Sequence, residues 1–473
     1  MSAGAPRLHA RDVERLSAHV IEGVRRARRH GEILVGITVA APEISDPTAM
    51  AIASRRAGEP WFVYEQPERE RFALAALGCT VALDARGPER FALVARRWRD
   101  LASNAVCDAP GRTRGSGPVA VGGFAFAPTG GSAPHWGGFA PASMHVPEVA
   151  ITRCGGDVRM TLAAVVGSDD VPEQVLTRIL TRAAELRHAP LPLLDPDPAG
   201  RYRVAGAMPP EHYEAAVSRA VEHIRAGALE KIVLAREVEV HAPVAHDAAA
   251  VIGVLREAFG ACHVFCAGRG DSAFLAASPE LLVRREGLRA GTLALAGSAR
   301  RSADPAVDDH LGEQLLRSDK DREEQAIVTR RIVRALRPHS VWVTAAEEPV
   351  IVRVANIQHL ATPIRAQLAH PVGVIELAGL LHPTPAVGGE PFAAAAPLIP
   401  ALEGLDRGWY AGPVGWTDRD EDGEFCVALR CALLTGAVAR CYAGVGVVRE
   451  SDPEAELAET EVKLQALLPV LAG

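Results

Sequence analysis

Two stretches of this chain put carboxylates where a helix should be apolar. Residues 318–336, SDKDREEQAIVTRRIVRAL, have helical periodicity. Projected at helical pitch, Asp321 and Glu324 fall on the stripe that carries Val328 and Ile332, and Glu323 points away. Near the C-terminus, Asp452 is a candidate cap and Pro453 a first-turn proline for a second helix, on which Glu456, Glu459 and Lys463 align with Leu467 and Val470. Each helix thus turns an i, i+3 acidic pair inward, and unpaired buried carboxylates are costly. Salt-bridge networks, partial exposure or a hard divalent cation would each offset that cost, and spacing alone leaves the three open. Magnesium would need only one or two glutamates from each helix, because it keeps waters and borrows oxygens from its substrate.

A basic group stands in a similarly enclosed place. In KIVLAREVEV, Ile232 and Leu234 alternate with Lys231, Val233 and Ala235, so a lysine opens a strand whose two faces are both apolar. Taken alone, Lys231 reads more readily as an ordinary solvated strand lysine.

These groups need a scaffold. The proline-rich stretch HAPLPLLDPDPAGRYRVAGAMPP, 188 to 210, reads as a surface connector and divides an N-terminal part, residues 1–190, from a longer part, residues 207–473. The first part contains the amphipathic segment ARDVERLSAHVIEGVRRARRH, the strand-like EILVGITVA and a glycine-rich passage from Gly122 to Gly138. In the second, Tyr213, Val217, Ala220, Val221 and Ile224 recur at helical spacing. The runs FLAAS, LLVRRE, CVALRCALL and ARCYAGVGVV are strand-like, with helices interrupting them irregularly. That order predicts an α+β fold with extensive antiparallel sheet rather than a doubly wound parallel one.

Composition narrows the function classes. With 48% hydrophobic and 23% charged residues in 473, the chain is globular, and its net charge of -7 gives no basic field for a nucleic-acid backbone. The start, MSAGAPRLHARDVERL, has no apolar core of a signal peptide, and no window is apolar for the length of a membrane span, so a cytoplasmic protein without a membrane partner is expected. The eight cysteines are scattered without CxxC pairing, which predicts reduced and mostly buried thiols. No P-loop, complete dinucleotide fingerprint, HExxH or GxSxG is present.

Eight motifs in order are informative where any one would be weak. KIVLAR at 231–236, ASPELLVR at 277–284, LAGSARR at 295–301, QHLATPI at 358–364, HPTPAVGG at 382–389, DRGWYAGPVGW at 406–416, VALRCALL at 427–434 and YAGVGVV at 442–448 together resemble the chorismate-utilising enzymes. The likeness is dense from about 207 to 473 and thinner before it, chiefly GGFAF at 122–126 and Trp136. It implies that family's fold, two large, roughly orthogonal antiparallel sheets packed between helices. It also implies a small-molecule substrate, chorismate, and no obligatory protein partner.

The resemblance assigns roles. Lys231 would be the base that activates water for attack at C2 of chorismate, and Glu280 the acid that protonates the departing C4 hydroxyl. Arg430 would clamp a substrate carboxylate, and a Gly444 to Gly446 turn would bring backbone N–H groups to the same anion. Gly297, Ser298, His382, Tyr410 and Lys463 match further pocket positions. Glu324 and Glu459 match magnesium ligands, with Asp321 and Glu456 as supporting acids. Without the family, Glu280 would read as a carboxylate capping the turn after Pro279, and Arg430 as half of a structural ion pair. Two departures, Gln325 and Leu457, replace a common His and Trp beside metal-site glutamates and bear on local packing.

Within the family, the motifs are most similar to isochorismate synthases. Ala296 stands where aminodeoxychorismate-forming relatives carry the lysine of PIKGT, and neither the SGAPK-like nor the LLES-type sequence of anthranilate synthases is present. Salicylate synthases share the base, acid and metal residues but read more like HPSVTASG at the position of HPTPAVGG. A salicylate synthase and a catalytically inactive chorismate-binding protein are the alternatives. The second has no use for Lys231 and Glu280 together.

Overall fold

The computed structural model describes residues 8–109, 111, 113–195, 200–354 and 357–472. The reading of the first seven residues, and residues 196–199 of the connector, lie outside the described residues. Among the described residues two large sheets dominate, one of 12 strands and one of 10, and every pairing between named strands is antiparallel. Helices pack on both, which is the expected α+β class.

Strands from before and after the connector share both sheets. Trp61–Gln66 pairs with His263–Arg269 in the larger sheet, and Val119–Phe124 pairs with Pro413–Asp418 in the smaller. The first helix, Ala10–His30, buries Leu16, Val20, Val24 and Ala27 at the spacing that its sequence shows. None of the described helices is long and apolar enough to cross a membrane. All eight cysteines are free, five of them buried.

Both carboxylate helices form where the periodicity places them. Asp319–Leu336 begins after Ser318, whose hydroxyl accepts from the Asp321 N–H. Pro453–Leu464 begins after Asp452, whose side chain accepts from Ala455 N–H. The second helix is shorter than its apolar stripe suggests. Leu467 and Val470 lie beyond its end, and a separate short helix, Leu468–Leu471, follows. Pro469 explains the break, since a proline in the helix interior loses a hydrogen bond and clashes with the preceding turn, whereas the first turn of a new helix accepts it.

One run read as a single strand is two. Gly423–Val427 belongs to the smaller sheet and Cys431–Thr435 to the larger, so the chain crosses between sheets at 428–430. Pro279 and Glu280 form a second crossing, between Ser272–Ser278 in the larger sheet and Leu281–Glu286 in the smaller. The crossings are bonded together. Val427 N–H donates to the Glu280 carbonyl at 3.0 Å and Ala277 N–H to the Arg430 carbonyl at 3.2 Å. An apolar run cannot reveal such a switch, because the chain leaves one buried surface and enters another.

Candidate active site

The two crossings, the lysine strand and the two carboxylate helices meet at one cavity. Glu280 and Arg430 reach it from the crossings, and Asp321, Glu324, Glu456, Glu459 and Lys463 from the helices. Gly297 and Ser298 line it from a bulge in the strand Arg289–Arg300, where the register slips between Ala296 and Ser298. Gly297 has φ +67° there, a conformation that favours glycine, and a Cβ would stand 3.0 Å from the Asp321 side chain.

Lys231 is fully buried at the first position of the strand Lys231–His241. Its Nζ donates to Glu324 Oε1 at 2.7 Å. The side chain runs behind Gly446, where an added Cβ would come within 2.8 Å of the lysine Cε and 2.5 Å of Glu324 Oε1. Only glycine leaves room for that pair.

Gly444 and Gly446 are not a turn. Both lie inside the strand Val438–Val447, paired with Ala235 and Val233 of the lysine strand. Their backbone belongs to the sheet ladder, and what they contribute is space: a Cβ on Gly444 would sit 2.7 Å from the Tyr410 hydroxyl. The Gly444 carbonyl also accepts from Lys463 Nζ at 2.9 Å.

Glu280 is 4% exposed, and burial raises its carboxyl to about 7 against the pull of Lys231 and Arg430. Arg430 sits at φ +49° between two strands, whereas the apolar run around it predicts a strand residue. Burial lowers its pKa from the ordinary value, and among the described residues no carboxylate lies within ion-pair distance. Its Nη2 contacts His359 Nε2 at 3.1 Å, and its Nε has no partner. Burial, and then Arg430, push His359 down to about 3, so the ring is neutral. With His359 Nδ1 3.0 Å from the Gly297 carbonyl, the proton belongs on Nδ1 and Nε2 is left to accept from Arg430. The sequence reading did not single out His359, although it stands in the QHLATPI motif.

Three of the four inward acids are met by lysines. Glu324 holds Lys231, and Glu456 holds Lys320 at 3.3 Å. Glu459 accepts from Lys463 at 2.8 Å and from the Ser298 hydroxyl at 2.6 Å. Asp321 accepts from Ser318. Burial raises both Asp321 and Glu456, whereas at Glu459 burial is outweighed by Lys463, which holds the carboxyl down to about 2. Lys320 also went unnoticed in the sequence, one position before Asp321. Among the described residues no group of three His, Cys, Asp or Glu side chains stands close enough to cage a metal. Four carboxylates on one cavity are nevertheless the hard oxygen donors that a divalent cation takes alongside waters and substrate.

His382 lies outside the lining. It ends the helix Val374–Leu381, and its Nε2 meets the Phe126 carbonyl at 2.9 Å between the Phe91 and Phe126 rings. Burial lowers it to about 3, a structural neutral histidine. Gln325 also turns from the cavity, donating to the Ala294 carbonyl and the Thr362 hydroxyl.

The sequence matches the chorismate binding enzyme family over residues 19–472. The chain belongs to that family. Within it, the chain is 38% identical to the salicylate biosynthesis isochorismate synthase of Pseudomonas aeruginosa, over 88% of this chain and 85% of that one. It is 30% identical to isochorismate synthase MenF of Bacillus subtilis, over 87% and 88%. Among solved structures, the menaquinone-specific isochorismate synthase of Escherichia coli superposes with a TM-score of 0.76 at 26% identity, covering 97% of this chain and 100% of that one. The family match spans every element of the cavity, and every charged residue that lines it follows residue 279.

Proposed function

We propose that this chorismate-binding enzyme is an isochorismate synthase that works with Mg2+. The observation that carries the reading is Glu280: a buried carboxyl raised to about 7, in the same cavity as an arginine that has no carboxylate partner among the described residues. In this reading the Arg430 fork receives a carboxylate of chorismate. Lys231 takes a proton from the water that adds at C2, and Glu280 gives its proton to the hydroxyl that leaves C4. Electrons shift across the ring diene, so the product is an isomer and no oxidant is required. When bound, a cation held by Glu324 and Glu459, with Asp321 and Glu456 in support, supplies positive charge for the ring carboxylate.

The test is to incubate the protein with chorismate and Mg2+ at neutral pH and separate the products by chromatography. A reversible mixture of chorismate and isochorismate is expected. Stoichiometric salicylate and pyruvate above a no-enzyme control would instead make it a salicylate synthase. Full activity in excess chelator would remove the metal from the reading.

A further inference from the structure

Tyr410 of the 406–416 motif lines the cavity, and the chemistry above leaves Arg407 of the same motif without a part. Arg407 is 4% exposed, and its guanidinium binds two residues of the cavity wall, Val233 and Val387, and the buried Glu403 behind them. Nε donates to Glu403 Oε2 at 3.0 Å, and Nη2 donates to Oε1 of the same carboxylate. Nη2 also donates to the Val233 carbonyl at 2.9 Å, and Nη1 to the Val387 carbonyl at 2.8 Å. Glu403 in turn accepts from the Ala235 N–H at 2.7 Å. One planar fork therefore ties together the lysine strand, through Val233 and Ala235, and the 382–389 segment, through Val387.

Both ties bear on the cavity. Val233 and Val387 line it, and Val233 lies two residues after Lys231, on the same face of the strand. The chain just beyond Val387 pairs with the lysine strand at its reactive end, Gly389 opposite Ile232 and Glu390 opposite Lys231. The same turn is anchored from the other side: the neighbouring carboxylate of Asp406 accepts from the N–H groups of Gly131, Ser132 and Ala133 in the glycine-rich passage. The ring of Phe126 lies 4.3 Å beneath the guanidinium. A lysine could carry the charge, but not four hydrogen bonds in a fixed plane.

We propose that Arg407 is a positioning residue for Lys231. By clamping the lysine strand to the 382–389 segment, it sets where the amine stands relative to the substrate ring. The inference rests on the isochorismate synthase reading, and the wild-type assay keeps the two apart. If the wild type forms no isochorismate, that reading fails. Where the wild type turns over, the ratio of variant to wild type tests Arg407.

The variants are Arg407→Lys and Glu403→Gln, each measured for melting temperature, chorismate binding by calorimetry, and kcat and KM corrected to the folded fraction. Arg407→Lys should lower kcat roughly 10- to 100-fold, the scale of a displacement near 1 Å at a reacting group. KM should stay within about threefold, because the arginine that receives the anion is untouched. A kcat equal to wild type per folded molecule, or losses that only follow the folded fraction, would overturn the assignment. If Arg407→Lys does not fold, Glu403→Gln decides. It keeps an acceptor for Ala235 and removes the charge that orients the fork, so a several-fold loss of kcat at unchanged KM is expected, and an unchanged kcat rejects the proposal.

Discussion

Two buried glutamates, one on a strand of the smaller sheet and one in the crossing that leads into the neighbouring strand, behave in opposite ways. Glu424 is fully buried in Gly423–Val427, where it accepts from Arg114 Nη2 at 2.8 Å and from the Tyr64 hydroxyl at 2.8 Å, pairs with Arg284, and stands 3.3 Å from His263. Burial alone would raise its carboxyl, but Arg114 and its other partners hold it far below the usual range. Glu280 is almost as buried, has no such ring of donors, and stays near 7. Tyr64 and Arg114 arrive from the N-terminal third, so at Glu424 that third closes the space between the sheets and surrounds the carboxylate with donors. At Glu280 the match is left incomplete. Partner count, more than depth, separates a carboxylate that holds the fold from one that can exchange a proton at neutral pH.

The largest effect should come from breaking the matched site. Glu424→Gln leaves two guanidinium groups short of their counter-charge, and a loss of about 3–5 kcal/mol in denaturant unfolding is expected, the scale for a broken buried ion pair. A loss below about 1 kcal/mol would mean that the cluster is solvated and the comparison is wrong.

The unmatched site should respond in activity instead. Glu280→Gln keeps the shape and loses the proton, so turnover should fall roughly 10²-fold or more with chorismate binding retained. Near wild-type kcat would show that another group is the acid.

The pH dependence sharpens the contrast. Burial raises the Glu280 carboxyl to about 7 from the ordinary 4.5. Between those values the native state binds more protons than the unfolded one, so this group lowers stability as pH rises from about 4.5 through about 7. Glu424 has the opposite sign: its contribution is present above 4.5 and is lost as pH falls below it. Melting temperatures of wild type minus Glu280→Gln should therefore decline across pH 4.5–7, and a flat difference would place the Glu280 pKa elsewhere.

The smallest expected effect is at Tyr64→Phe, which removes one donor from Glu424 while the arginines remain. A loss of about 1.5 kcal/mol in stability is expected, with kcat unchanged, since the phenol does not line the cavity. A larger change in kcat than in stability would tie the cluster to catalysis.

Much of this protein follows from its sequence alone. The α+β class, the two carboxylate helices with their caps, the lysine at a strand start and the family are local or ordered patterns, and a periodicity or a motif needs no knowledge of distant chain. Other features were beyond such patterns. Glu280 and Arg430 stand where the chain leaves one sheet for the other, and an apolar run looks the same on either side of that switch. Lys231 meets Glu324 across 93 residues of chain, and Arg407 meets Val233 across 174. Glu324 and Glu456 therefore found lysines from distant chain that spacing could not name, and His382 turned to the Phe126 carbonyl, 256 residues away, rather than to the cavity. A residue type and its spacing determine which face of its own element a group occupies, and only packing of distant elements decides which charge it meets there, and hence which proton it can move.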